Sequence, residues 1–278
     1  MREDTAVNRA FWDEVAPHHA ASGFYAVERF LATRDSLGDI DKAEVGPVAG
    51  LSICHLQCHI GLDTLSLAGK GASVTGLDFS AEALQIAREL SARTGIAATF
   101  VQADVLEAAD ALDTSYDLVF TTGGVLMWVP DLDQWADNCA KLLGPGGVFY
   151  LHDIHPLTMA LEPSESGWRL AYSYFGGGHP IVTSADGSYA VSGVGLTHQE
   201  THEWIHPVGD VVTALVGAGL VIEFLHEHPD DDHNHASSGV SPAPGARQAP
   251  QLPASYSVRA HLAGTGAAAP VLRSDPLT

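Results

Sequence analysis

From Leu51 onward the chain alternates short apolar runs with longer segments of helical period. The runs are Leu51 to Leu56, Ser73 to Leu77, Thr99 to Val101, Asp117 to Thr121 and Gly147 to His152. Strands joined through helices pair in parallel and bury both faces, which confines residues 50 to 155 to five βα units in a doubly covered sheet. The helices carry their own punctuation. Ser80 precedes Ala81 to Ala92 with Glu82 in the first turn, and Asp131 to Leu143 runs into Gly144-Pro145-Gly146-Gly147. Later, Pro207 opens a helix through Ala218 that Gly219 stops; Leu220 to Leu225 and Ser255 to His261 read as two further strands. The expected class is α/β, a mostly parallel seven-stranded sheet with helices on both faces.

Around this core the organisation is predicted as follows. Residues 1–45 hold apolar side chains at helical spacing (Phe11, Val15, Phe24, Val27, Phe30, Leu31), and Pro17 divides them into two short helices ahead of the main fold. Residues 46–162 form the first and larger part of the sheet. Residues 163–206, rich in Gly, Tyr, Trp and His with patches of alternation, form an inserted antiparallel cap, where substrate contacts concentrate. Residues 207–262 complete the core, interrupted by a loop at 229–253, and 263–278 form a tail. Loop and tail offer too little apolar surface to offset ordering entropy and are expected to be flexible.

Composition narrows the function. A formal charge of −21, from 34 acidic and 13 basic residues, repels a phosphate backbone, so nucleic acid is an unsuitable partner. Cys54, Cys58 and Cys139 are too few, and odd in number, for a disulfide framework. No uncharged apolar stretch is long enough to cross a bilayer, and Arg2, Glu3 and Asp4 do not resemble a leader, so a cytoplasmic location without membrane contact is expected. Oligomeric state, monomer or homodimer, is left open.

The most informative stretch is LSICHLQCHIGLDTLSLAGKGASVTGLDFS, Leu51 to Ser80: a strand, a tight loop ending at Gly61, a helix, a second strand and then Asp78. A carboxylate at the tip of the second strand, about 20 residues past the loop, is placed to accept hydrogen bonds from two ribose hydroxyls. A helix-capping role for Asp78 is compatible with that. The loop Gln57-Cys58-His59-Ile60-Gly61 lacks the three glycines that let backbone approach a pyrophosphate, which argues against a nicotinamide dinucleotide. Asp104 reads equally as a ligand at the end of the third strand and as an N-cap. His59 and Cys58 read equally as ligands and as core fillers.

This order of elements resembles the class I S-adenosylmethionine-dependent methyltransferases. NRAFWDEVAPHHAASGFY, HLQCHIGLDTLSLA and VTGLDFS resemble more narrowly an actinobacterial-type branch in which the LQCHIG loop replaces the glycine-rich motif. The resemblance runs through about residue 228 and resumes near Leu252. It implies a Rossmann-like sheet, S-adenosyl-L-methionine as cofactor bound by residues 46–162, and N-terminal helices of residues 1–45 that cover the site. Gln57, Cys58, His59 and Gly61 would lie beside its methionine part, Asp78 would hold the ribose with Phe79 and Ser80 alongside, Asp104 and Val105 would meet the adenine, and Thr122 and Gly123 would line the floor.

Ligands of open α/β sheets lie beyond the carboxyl ends of the strands. His152, Asp153 and His155, after the fifth strand, are therefore the polar groups placed for proton transfer. His155 is favoured as base over His152, with a capping role before Pro156 as the alternative. Trp12, Tyr25 and Trp128 are candidate pocket walls or plain core. In THQETHEWIH, Thr197 to His206, the histidines recur every four residues, a spacing that in a strand separates them by roughly 13 Å, too far to share an ion. No metal is expected, and His202 and Trp204 are secondary substrate candidates. The run His226 to His235 reads as a solvated acidic loop, where the resembling branch has aromatics.

The function so predicted is methyl transfer from S-adenosylmethionine to oxygen or nitrogen of a small-molecule acceptor, in specialised metabolism. The alternatives are a protein that binds the same cofactor for a non-methylating step such as cyclisation, and a nicotinamide-dependent oxidoreductase.

Overall fold

The computed structural model describes residues 2–164, 167–229 and 252–262. Three helices, α1 (Glu3–Ala21), α2 (Val27–Thr33) and α3 (Asp39–Val45), precede the sheet. The predicted alternation then follows: β1 (Ser52–Leu56), α4 (Leu62–Gly69), β2 (Ser73–Asp78), α5 (Ala81–Thr94), β3 (Thr99–Gln102), α6 (Ala108–Leu112), β4 (Tyr116–Thr122), α7 (Leu132–Lys141) and β5 (Leu143–Ile154). After the short α8 (Pro156–Met159) come β6 (Leu161–Ser164), β7 (Gly167–Leu170), β8 (Ile181–Ser184) and β9 (Glu200–Glu203), then α9 (Val208–Gly217), β10 (Leu220–His228) and β11 (Ser255–Leu262).

The main sheet has seven strands in the order β10-β11-β5-β4-β1-β2-β3. β1 to β5 pair in parallel, and β11 runs antiparallel between β5 and β10. Alternate side chains serve opposite faces, as the period of a strand dictates. Leu118, Phe120 and Tyr150 join a cluster with Ile53 and Leu67, while Val119, Phe149 and Leu151 join another around Trp135 and Leu215.

The N-terminal expectation requires correction. Pro17 lies inside one uninterrupted 19-residue helix rather than between two short ones. An interior proline costs roughly 3 kcal/mol, but α1 packs on both α5 and β9 and buries Phe11, Val15, Ala16 and His19 along one face, and that burial outweighs the local penalty.

The insertion folds into two antiparallel hairpins, β6 with β7 and β8 with β9. α1 is tied to the second one through backbone groups. Asn8 Nδ2 donates to the His202 carbonyl and Asn8 Oδ1 accepts from the His202 N–H, both at 2.8 Å. Glu14 accepts from the N–H groups of Thr197 and His198 at 2.8 and 2.7 Å, which holds its carboxyl down at about 2. Most of the predicted 229–253 loop and the 263–278 tail, including the acidic half of His226 to His235, lie outside the described residues. No helix among the described residues is long and apolar enough to cross a membrane.

Candidate functional site

Strand order reverses between β1 and β4, and a crevice opens there beyond the carboxyl ends of the parallel strands. The loop after β1 turns through positive φ at Gln57, His59 and Gly61. Gly61 has no room for a larger residue, since an added Cβ would lie 2.8 Å from Ala87 Cβ and 2.9 Å from Phe100 Cε1. Gly76 of β2 similarly yields space to Cys58 Sγ. The loop is pinned by Asp78, whose Oδ2 accepts from His59 N–H and Oδ1 from Ser80 N–H, each at 2.8 Å. Asp78 is 8% exposed, and burial lifts its carboxyl to about 6 against the opposing pull of those N–H groups.

A cavity of about 370 Å³ fills the crevice, a volume in the range of small-molecule sites. Among the predicted cofactor residues, Gln57, Cys58, His59, Gly61, Asp78, Phe79, Thr122 and Gly123 line it, together with Trp12, Tyr25 and Trp128. Two buried polar atoms on this lining, Gln57 Oε1 and Trp12 Nε1, have no hydrogen-bond partner among the described residues. An acceptor and a donor left unmet are what an amino acid's ammonium and carboxylate would satisfy, and Asp78 retains a lone pair on each oxygen for ribose hydroxyls. The lining thus fits S-adenosylmethionine. Cys58 is no nucleophile here, because burial, then the nearby Asp78, drive its thiol well above the usual range.

A second, larger cavity of about 600 Å³ adjoins the first. Trp12, Phe24, Gly123, Gly124, Trp128 and Tyr189 line both, so the two chambers meet at this aromatic and glycine neck. The Trp12 and Trp128 rings stand edge to face, 5.2 Å apart. A hydrogen-bonded chain runs along the wall. Ser188, on the larger chamber, lies 2.6 Å from His19 Nε2, and His19 Nδ1 lies 3.1 Å from Nε2 of His59, on the smaller one. Burial lowers His19 to about 4 and holds His59 well below its ordinary range, so both rings are neutral near pH 7.

Other predicted residues lie elsewhere. Ser80 caps α5 and donates to Asp13, Asp104 caps the 3₁₀ turn at Val105–Glu107, and Val105 is in the core; none lines either chamber. The expected proton-transfer role of His152 is corrected. Its ring is fully buried between Asp41 at 2.8 Å and Ser255 at 3.0 Å, because α3 and β11 cover that side of β5. His155 is corrected likewise: Nδ1 caps α8 by accepting from Leu157 N–H, Nε2 meets Glu227, and the ring lines neither chamber. His202 is held between Asp4 and Glu200 outside both chambers, and Trp204 is buried beyond them, so neither stands as a substrate contact. Asp153, between the two corrected histidines, accepts from the N–H groups of Val125 and Leu126 and so braces the floor after β4.

The sequence reading missed His19, Phe24, Ser188, Tyr189 and Glu203. A signal existed for His19, which lies seven residues after Trp12 on the same helix face once α1 is continuous. No local pattern marks Ser188 or Tyr189, which reach the wall only through the course of the insertion.

Residues 54–149 match the family model described as a methyltransferase domain. The ubiquinone biosynthesis O-methyltransferase of Photorhabdus laumondii is 37% identical over 126 residues, 45% of this chain and 49% of that protein. That of Pectobacterium atrosepticum is 38% identical over 135 residues, 49% and 52% of the two. The chain spans about half the length of the curated relatives it matches. Among solved structures, an S-adenosylmethionine-dependent methyltransferase from Mesorhizobium loti superposes with a TM-score of 0.56 at 24% identity, covering 79% of this chain and 94% of that one. The glycopeptide N-methyltransferase MtfA complexed with S-adenosyl-L-methionine gives 0.51 at 18%, covering 87% and 94%. At those identities the likeness speaks for the fold. Residues 54–149 are thus similar to a methyltransferase domain, and the Rossmann-like sheet has the fold of solved S-adenosylmethionine-dependent methyltransferases.

Proposed function

We propose that this protein transfers the methyl group of S-adenosylmethionine to a small molecule held in the larger chamber, with the reacting atoms meeting at the neck. The observation that carries the reading is the junction itself: a polar chamber with a buried carboxylate and unmet polar atoms adjoins a second chamber, and Trp12, Trp128 and glycine line both. When bound, the cofactor supplies an electrophilic methyl carbon on a sulfonium. The chain's task is alignment and exclusion of water. Asp78 accepts from the ribose, Gln57 Oε1 and Trp12 Nε1 meet the methionine end, and the aromatic neck limits the approach of the acceptor to one line.

Where the acceptor atom must lose a proton, Ser188 takes it as His19 Nε2 takes the serine's own, and the His19 imidazolium so formed, its Nδ1 hydrogen-bonded to His59 Nε2, gives the proton to water when the product leaves. Because burial disfavours a charge on either ring, this chain passes a proton along instead of storing it. An amine that is already neutral needs none of this. The O-methyltransferase names of the relatives support an oxygen acceptor; we infer a small metabolite of specialised metabolism, and no nucleic acid, from the acidic charge and the apolar second chamber.

Calorimetric titration with S-adenosylmethionine, S-adenosylhomocysteine and NAD tests the reading. Saturable binding of the first two and none of the third is expected, followed by S-adenosylhomocysteine release in an acceptor screen. Failure of the wild type to bind either refutes it.

A further inference from the structure

The larger chamber is lined by Phe11, Trp12, Phe24, Trp128, Trp168 and Tyr189, with methionine and aliphatic side chains between them. Among its described lining residues there is no Lys, Arg or His, and Glu203 is its one carboxylate. Arg169, the nearest arginine in sequence to the Trp168 mouth, is exposed, ion-paired with Glu162 and absent from the lining. Glu203 Oε1 accepts from Thr201 Oγ1 at 2.9 Å, and Thr201 is held in turn by Thr183 at 2.8 Å, so the carboxylate is fixed from below. Its other oxygen has no hydrogen-bond partner among the described residues. Burial raises the Glu203 carboxyl above its ordinary range, the direction expected of a carboxylate short of counter-charge.

An anionic acceptor would meet no Lys, Arg or His among the described lining residues and would enter against a chain of net charge −21. An ammonium gains on three counts: a fixed carboxylate oxygen, the faces of indole and phenol rings, and the favourable field of the whole chain. Resting on the function proposed above, we propose that the acceptor is an apolar, largely aromatic or aliphatic molecule carrying a protonated amine, and that Glu203 anchors that amine. The anchor fixes specificity and is independent of which atom is methylated.

A matched set of probes tests this: 4-phenylbutylamine, 4-phenylbutanol and 4-phenylbutyrate, titrated calorimetrically into the full chain saturated with S-adenosylhomocysteine. The amine is expected to bind about tenfold or more tightly than the alcohol, and the carboxylate most weakly of the three. Glu203→Gln, which keeps shape and loses charge, reduces the amine to the level of the alcohol, and Glu203→Asp retains the preference in part. Unchanged S-adenosylhomocysteine affinity in both variants reports that they are folded. Butyrate binding as well as the amine, an amine preference that survives Glu203→Gln, or no probe binding to the loaded protein each overturn the anchor. The last leaves the cofactor reading standing, since only failure of S-adenosylhomocysteine itself to bind refutes that.

Discussion

Replacement of Asp78 by asparagine tests the proposed ribose contact: it removes the charge and turns one of the two accepting oxygens into a donor, so one of the loop N–H groups, His59 or Ser80, also loses its acceptor. In the wild type each carboxylate oxygen already accepts one backbone N–H at 2.8 Å, from His59 and from Ser80, and each keeps capacity for a ligand hydroxyl. Hydrogen bonds to a charged group contribute roughly 1.5–3 kcal/mol and neutral ones roughly 0.5–1.5, so removing the charge from two ribose contacts costs about 2–3 kcal/mol. At 1.4 kcal/mol per decade this is roughly 30- to 150-fold in Kd. A pH signature accompanies it. Ribose hydroxyls donate to the ionised carboxylate, whose pKa burial has raised to about 6, so wild-type affinity is level near neutrality and falls toward tenfold per pH unit as the carboxylate protonates below about 6. The asparagine variant has no such slope. Calorimetry with S-adenosylhomocysteine from about pH 5 to 8 reads both quantities. A variant within about threefold of wild type near pH 8, or sharing its acid slope, would refute the ribose assignment.

Other expectations follow from the same geometry. Gly61→Ala combines a left-handed φ of 75° with the contacts to Ala87 and Phe100; strain of about 1–2 kcal/mol and overpacking of about 1–3 predict a clear drop in urea midpoint. His19→Phe leaves S-adenosylhomocysteine binding within about threefold but slows single-turnover transfer to a hydroxyl acceptor by about 10²-fold or more, as loss of a proton acceptor does. The same variant tests linkage. His19 has a pKa of about 4 in the fold and roughly 6.5 in the unfolded chain. Between those values the folded state binds fewer protons, so the stability this ring contributes is complete above about pH 6.5 and is lost as pH falls toward 4. The wild type therefore loses melting temperature relative to His19→Phe across that window; parallel melting curves would contradict a neutral buried ring. Asn8→Ala removes both bonds to the His202 backbone, and hydrogen exchange should quicken in α1 and the β8–β9 hairpin while β1 and β4 amides keep their protection.

The sheet was readable because its signals are local. Each strand is a compact apolar run, and the cofactor loop and Asp78 follow from strand ends, where topology alone puts ligands. The second chamber was not readable, because it is built from contacts that sequence spacing does not carry. Alternation along β5 tells that His152 and Asp153 point opposite ways. It does not tell that α3 carries Asp41 onto the His152 side while the Asp153 side meets the loop after β4. Pro17 misled for a related reason: local propensity marks a break, and the tertiary burial of α1 overrules it. With the helix divided, Trp12 and His19 belonged to different elements and their shared face was invisible. Glu203 lay in the stretch read as a strand, but reading alternate residues as one face drew attention to His202 and Trp204 and away from the residue between them.

The fastening of α1 to the inserted hairpin has a kinetic consequence. The sheet is secured by continuous ladders between neighbouring strands, whereas the enclosure above it is joined by Asn8, Glu14 and the packing of Phe11 and Val15 on Leu196, contacts between residues far apart in the chain. Releasing that latch exposes both chambers to water together and leaves the sheet intact, at a free energy well below that of global unfolding. On the function proposed above, admission of ligands and departure of the spent nucleoside would share that one opening, and its frequency would set an upper bound on turnover that no improvement in the chemical step can raise.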